Sequence, residues 1–226
     1  TSTRGERALV TARLVLATHN AHKVAELRAV LEPLVPDLDP GDIVSAADLG
    51  APSPTEDGVT FEQNALIKAR AIARATGLPA VADDSGLAVD VLGGAPGIFS
   101  ARWAGSHGDD AANLALLLDQ LADVPAAHRG ARFVCAAALV TPDGREHVEL
   151  VELRGTLATA PRGSNGFGYD PVLVPEGERR TCAELTPAEK NAISHRGKAF
   201  RALAPHVARV LADDGASGPA RESDAR

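Results

Sequence analysis

Apolar residues along the chain fall into two alternating patterns, short continuous runs and stretches at helical spacing, which predicts strands interleaved with helices. Residues 13–17 (RLVLA) read as a short buried strand, and Val24, Leu27, Val30, Leu31 and Leu34 then recur at helical spacing up to the Pro33 and Pro36 region. Thr60 with Gln63 fits a capping box for a helix running to about Thr76, which Gly77 stops and Pro79 keeps from resuming. Residues 80–82 predict a strand leading straight into Asp83 and Asp84. The run AANLALLLDQLA at 111–122 predicts a helix, and 132–141 with 145–155 predict an antiparallel hairpin turned by Pro142-Asp143-Gly144. Thr186, Pro187 and Glu189 form a complete helix start, and the helical pattern runs to about Ala212 with a break expected at Gly197.

These elements predict a mixed α/β fold with a single domain over 13–212, preceded by a flexible segment at 1–12 and followed by a disordered polar tail at 213–226. Of the 226 residues 45% are hydrophobic and 23% charged, enough for a sizeable core, and an aromatic share of 3% leaves that core to Ala, Val and Leu. No apolar run approaches the roughly 20 residues of a membrane span. A net charge of −7 argues against a broad grip on nucleic acid, so any anion site has to be local. Cys135 and Cys182 are too few for a disulfide framework and lack the partners of a zinc site, which predicts free thiols. The start TSTRGERALV has no signal-like apolar stretch, and with no Met in the chain it reads as trimmed or replaced; the expected location is the cytoplasm.

Four clusters can carry chemistry, and each has an ordinary structural reading. Thr18-His19-Asn20-Ala21-His22-Lys23 lies between a strand and a helix start, where free N–H groups favour a phosphate; Thr18 or Asn20 equally suits a plain helix cap. Asp83-Asp84-Ser85-Gly86, with Glu56-Asp57 upstream, offers hard oxygen ligands for Mg²⁺; it equally suits an acidic turn. The loop from Gly163 to Pro171 places Phe167 and Tyr169, two of the chain's few aromatics, among glycines, which suits stacking on a purine or a simple tight turn. Lys190 and Ser194-His195-Arg196-Gly197-Lys198 concentrate donors suited to carbonyls and phosphates, or merely oppose a helix dipole.

The stretches LVLATHNAHKVAEL, TFEQNALIKARA, ADDSGLAVDVLGGAPGIFSARWAG, GFGYDPV and ELTPAEKNAISHRGKA closely resemble, in the same order, the inosine/xanthosine triphosphate pyrophosphatase family over residues 14–203. The resemblance implies hydrolysis of ITP, dITP and XTP to the monophosphate and pyrophosphate, with Mg²⁺, in a homodimer whose lobes flank a nucleotide cleft around a long mixed sheet. It implies a triphosphate-binding loop at Thr18 to Lys23, with Asp84 as proton acceptor and metal-linked carboxylate and Ser85 as a substrate contact. Glu56 matches the upstream metal-associated acid, and Lys68 a phosphate-facing lysine. Phe167, Gly168, Tyr169, Asp170, Lys190, His195 and Arg196 match nucleoside-binding positions. His19 and Asn165 depart from the small residues common in the family. The expected mechanism has Glu56 and Asp84 placing Mg²⁺, Asp84 activating water at the α-phosphorus, and Lys23 and Lys68 offsetting the leaving charge, with Asp83 the doubtful member of the pair. Donors from His195 and Arg196 would select a 6-keto purine. A pyrophosphatase of other modified or pyrimidine nucleotides, or a nucleotide sensor without hydrolysis, are the alternatives.

Overall fold

The apolar tripeptide Leu14–Leu16 forms β1, and helix α1 at Ala21–Leu31 returns the chain to β2 at Ile43–Ser45, parallel to β1. The computed structural model describes residues 12–36 and 38–216; of the ends expected to be flexible at 1–12 and disordered at 213–226, residues 1–11 and 217–226 lie outside the described residues, as do the side chains at 21, 22 and 214–216. Helix α2, Phe61–Thr76, starts where Thr60 accepts the Gln63 N–H, and ends where Gly77 turns left-handed at φ 69° and donates its N–H to the Ala73 carbonyl. It leads into β3, Ala80–Val89, which lies on the other side of β1 and parallel to it.

Helix α3, Asp110–Gln120, precedes the long hairpin of β4, Gly130–Val140, and β5, Glu146–Leu157, in the antiparallel register expected from sequence. Strand β6, Leu173–Pro175, adds the far edge. Helices α4, Pro187–Ile193, and α5, His195–Ala216, close the chain. The resulting six-stranded mixed sheet has the order β2-β1-β3-β4-β5-β6, the mixed α/β class expected.

Strand periodicity sorts the core onto two faces. Leu14, Leu16, Val81, Ala137 and Leu139 pack against Leu27 and Leu31 of α1 and Phe200, Leu203 and Val207 of α5. Val15, Ala80, Ala82, Ala136 and Ala138 pack on the opposite face against Ala65, Ala69 and Ile72 of α2. A third cluster, built from Leu87, Val89, Phe133, Leu153 and Leu157 with Leu117 and Leu121 of α3, fills the half of the sheet beyond Ser85. The two regions of core meet the cleft at the middle of β3.

Three expectations need correcting. β3 does not end at Ala82, because β4 supplies ladder partners all the way from Ala80↔Val140 to Val89↔Ala131, so the acidic pair lies within a strand. The helical break falls at Ser194, which has an extended backbone (ψ 147°), and Gly197 lies inside α5. That helix continues to Ala216, past the expected start of the tail at 213.

Candidate active site

Strand β1 pairs with β3 only at Val15↔Ala80 and Leu16↔Val81, whereas β3 runs on for eight more residues. Beyond Ala82 the β1-side edge of β3 is therefore open, and a cleft of about 440 Å³ lies there. The loop leaving β1 supplies one wall: Thr18, His19, Asn20 and Lys23 all line it. Asn20 donates its N–H to Thr18 Oγ1 at 3.1 Å and accepts the Lys23 N–H on Oδ1 at 3.3 Å, so it does cap α1 while facing the cleft. The unusual His19 has a role here, since its Nε2 sits 3.1 Å from the Ala51 carbonyl oxygen and ties this wall to the chain after β2.

Asp83 and Asp84, neighbours on β3, leave opposite faces of the sheet. Asp83, only 3% exposed, lies on the α1/α5 side. Its carboxylate accepts from Lys23 Nζ at 3.0 and 3.1 Å, Arg196 Nε at 3.2 Å and Ser85 Oγ at 2.8 Å. Burial alone would raise its pKa, but the Lys23, Arg196 and Lys68 charges hold it well below the usual carboxylate range. It is a permanently charged anchor.

Asp84 lies on the α2 side. Its Oδ2 accepts from Asn64 Nδ2 at 3.2 Å, and its Oδ1 lies 3.2 Å from Lys68 Nζ. Lys68 also reaches Glu56 Oε2 at 3.0 Å, so one ammonium bridges two carboxylates. Burial pushes Asp84 upward, opposed by Lys68 and reinforced by Glu56. The same carboxylates, with Asp83, raise Lys68 against the effect of its own burial. Asn64 and Lys68 are four residues apart on α2 and so share its sheet-facing side. Two carboxylates converging beside a buried wall are a donor set of hard oxygens that fits a small divalent cation such as Mg²⁺.

The other side of the cleft comes from the Gly-rich loop and the start of α5. Asp170 Oδ2 accepts the Phe167 N–H at 2.8 Å and Lys190 Nζ at 2.5 Å, fixing the loop to α4. Gly166 (φ 77°) has no room for a Cβ, which would strike that same Asp170 oxygen. Lys190 Nζ and the Arg196 guanidinium lie 5.2 and 5.5 Å from the centre of the Phe167 ring. Tyr169 also lines the cleft, with its hydroxyl committed to the Ser100 carbonyl at 2.9 Å. Gly168 donates its N–H to Asp110 Oδ2 at 2.9 Å, joining the loop to the start of α3. Asn165 lies outside the cleft lining and donates Nδ2 to the Leu185 carbonyl at 2.9 Å.

His195, 7% exposed, stacks on Phe133 with ring centres 4.9 Å apart, and its Nδ1 is buried without a hydrogen-bond partner among the described residues. Burial, then the Arg196 and Lys190 charges, push its pKa well below the ordinary value, so the imidazole is neutral at physiological pH. Arg196 is less free than expected. Nε is committed to Asp83 and Nη1 donates to Glu26 Oε2 at 2.7 Å, which makes it a brace between α5, β3 and α1 as well as a cleft residue.

Sequence reasoning assigned no part to Glu26, Asn64, Phe133 or Asp110. Glu26 and Asn64 had an available signal, helical spacing from Lys23 and to Lys68 respectively, while Phe133 and Asp110 are joined to the site only by the fold. His107 also lines the cleft. Cys135 and Cys182 are free and buried, with thiols pushed up to about 12 chiefly by burial, which leaves them unreactive.

The Ham1 family model matches residues 14–206 of this chain. A dITP/XTP pyrophosphatase of Streptomyces avermitilis is 66% identical over 203 residues, spanning 88% of this chain and 98% of the relative. One from Leifsonia xyli subsp. xyli is 54% identical over 203 residues, spanning 90% and 98%. Among solved structures, a HAM1 protein from Coxiella burnetii superposes with a TM-score of 0.79 at 40% identity, covering 88% of this chain and 99% of that one. A nucleoside-triphosphatase / dITP/XTP pyrophosphatase from Mycobacterium abscessus gives 0.69 at 54% identity, covering 85% and 98%. With a family match over most of its length and relatives well above half identical, the chain belongs to the Ham1 family.

Proposed function

We propose that the protein hydrolyses the non-standard purine nucleoside triphosphates ITP, dITP and XTP to the monophosphate and pyrophosphate, by attack of water at the α-phosphorus. The observation that carries this reading is that one cleft holds both the Glu56–Lys68–Asp84 array and the Phe167–His195 wall. The first suits a triphosphate and the second a base.

Glu56 and Asp84 would hold Mg²⁺, which when bound supplies positive charge to the triphosphate oxygens. Asp84, steadied by Asn64 and raised by burial toward a more basic carboxylate, accepts the proton of the attacking water. The water oxygen is retained on the monophosphate, and the bond to the bridging oxygen of pyrophosphate breaks. Lys68 offsets the charge of the leaving group. Lys23 contributes less directly than the sequence suggests, because its ammonium is held by Asp83. Thr18, Asn20 and the N-terminal end of α1 offer polar groups to the phosphates.

Phe167 offers its face to the purine. Neutral His195, which lines the cleft, is the polar residue of this wall suited to reading the base. A ring N–H of His195 turned to the cleft would donate to a 6-keto oxygen, whereas adenine's 6-amino group would set donor against donor. A buried polar mismatch of this kind discriminates by up to roughly 10⁴–10⁵. By the resemblance to its family we also assign a homodimer and a cytoplasmic location. Among the described residues, no helix is long and apolar enough to cross a membrane.

The test is turnover of ITP, dITP, XTP, GTP, ATP and dUTP with Mg²⁺, separating pyrophosphate from orthophosphate by phosphate release with and without an inorganic pyrophosphatase. Pyrophosphate from ITP, dITP and XTP, with little from ATP or GTP, is expected. Direct orthophosphate release, or equal use of ATP, overturns the reading. Tight Mg²⁺-dependent nucleotide binding without any turnover replaces it with a sensor.

A further inference from the structure

Outside the cleft lining, His147, Glu149 and His206 bring three ligand atoms to within 4.8 Å of one another, the one such group of His, Cys, Asp and Glu among the described residues. His147 and Glu149 are two apart on β5 and therefore share a face. Their cross-strand partners Leu139 and Ala137 belong to the core beneath α5, which identifies that face. His206 comes down from α5 beside Val207, whose side chain is buried in the same core. The two imidazoles stack with centres 3.4 Å apart at 19°, and His147 Nε2 is 2.7 Å from Glu149 Oε1. All three residues are half-buried, so the group is reachable from solvent yet held by packed elements.

The geometry points to a transition-metal site of the Zn²⁺ class, with His147, Glu149 and His206 as ligands and an open fourth position, fastening β5 to α5. Two imidazole nitrogens and one carboxylate oxygen are the donor set zinc takes when it keeps a coordination position open. They are the wrong set for Mg²⁺, which asks for oxygen ligands and keeps its waters, so this site and the cleft would select different ions. Neutral imidazole is the ligating form.

The place in the fold gives the site a consequence. Glu149 and Asp83 flank the same residue of β4, Ala137, so their backbones are about 10 Å apart across two strand spacings. His206 is on the helix that opens with His195 and Arg196, about 16 Å along its axis from His195. A metal here would brace the scaffold of the base pocket without touching substrate.

The experiment titrates the untagged full chain with Co²⁺ and then Zn²⁺ in millimolar Mg²⁺, following the visible absorption of bound Co²⁺, calorimetric stoichiometry and the melting temperature. One equivalent per chain, with visible bands displaced by Zn²⁺ and a raised melting temperature, is expected. His206→Ala and His147→Asn should each weaken binding at least tenfold, and Glu149→Gln should weaken it too, while His128→Ala, an exposed histidine elsewhere, should not. Each variant's melting temperature in chelator establishes that it is folded. Absence of one-equivalent binding in the wild-type chain, or binding that survives His206→Ala and His147→Asn, overturns the proposal.

Discussion

Asp83 and Asp84 are consecutive residues on one strand, yet one is locked between Lys23 and Arg196 on the α1/α5 face and the other shares Lys68 with Glu56 on the α2 face. A strand's two-residue period produces that division. It happens where β3 outruns β1, so both faces and the strand edge contribute to one cleft. In the proposed mechanism the pair separates a structural charge from a reactive one, and the two substitutions should have opposite signatures.

Asp83→Asn leaves Lys23 and Arg196 without their buried counter-charge. Breaking a buried pair by removing one partner costs about 3–5 kcal/mol, which at this chain length is a fall on the order of 10 °C in melting temperature. Asp84→Asn should melt within a few degrees of wild type while losing roughly 10²–10⁴-fold in kcat, with nucleotide affinity much less affected. Thermal melts and steady-state kinetics on the two variants measure this. Loss of activity confined to Asp83→Asn would reverse the assignment.

Lys68 is the cation both carboxylates share, so Lys68→Met should lower kcat by roughly 10²–10³-fold, the scale of removing one charge-stabilising donor. Its melting temperature should fall less than that of Asp83→Asn, because Glu56 is partly exposed and can turn to water. A variant with normal kcat and only a higher KM would limit Lys68 to binding.

Phe167 is placed by its own N–H bond to Asp170 and flanked by Lys190 and Arg196. Removing the ring in Phe167→Leu should cost roughly 1–3 kcal/mol of base binding, seen as a raised KM for ITP with kcat changed much less. An equal fall in kcat with unchanged KM would mean that the ring acts on the chemistry and not on the base.

The buried neutral His195 sets a pH dependence of stability. Its folded-state pKa lies below its unfolded value of about 6.5, so between the two the unfolded chain binds a proton that the folded chain refuses. Its contribution is thus fully present above pH 6.5 and declines as pH falls through the window beneath, by up to about 1.4 kcal/mol per pH unit. Denaturant titrations at pH 7.5, 6.5 and 5.5 should show a shallower decline in His195→Gln than in wild type. Identical slopes would mean that His195 is protonated in the folded protein.

The long-period and capped elements were legible in the chain because their signals are local. Thr60 and Gly77 bracket α2, and Thr186, Pro187 and Glu189 start α4, as their side chains dictate. β3 was not legible past Ala82, because a polar DDSG run reads as a turn. It is a strand only because Lys23, Lys68 and Arg196 arrive from three helices to satisfy its charges and an alanine-rich β4 completes its ladder. Those partners are 16 to 113 residues away, outside any local pattern. Strands β2 and β6, three residues each, are too short to show periodicity. The resemblance pointed to residues that line the cleft, but the commitment of Lys23 and Arg196 to Asp83 came only with the packing of α1 and α5 on one face.

The central claim is that Asp84 directs water to the α-phosphorus, and the position of the solvent oxygen tests it most directly. Single-turnover hydrolysis of ITP in ¹⁸O-water, with mass analysis of both products, should place the label in the inosine monophosphate and none in the pyrophosphate. Label in the pyrophosphate would mean attack at the β-phosphorus and would contradict the account.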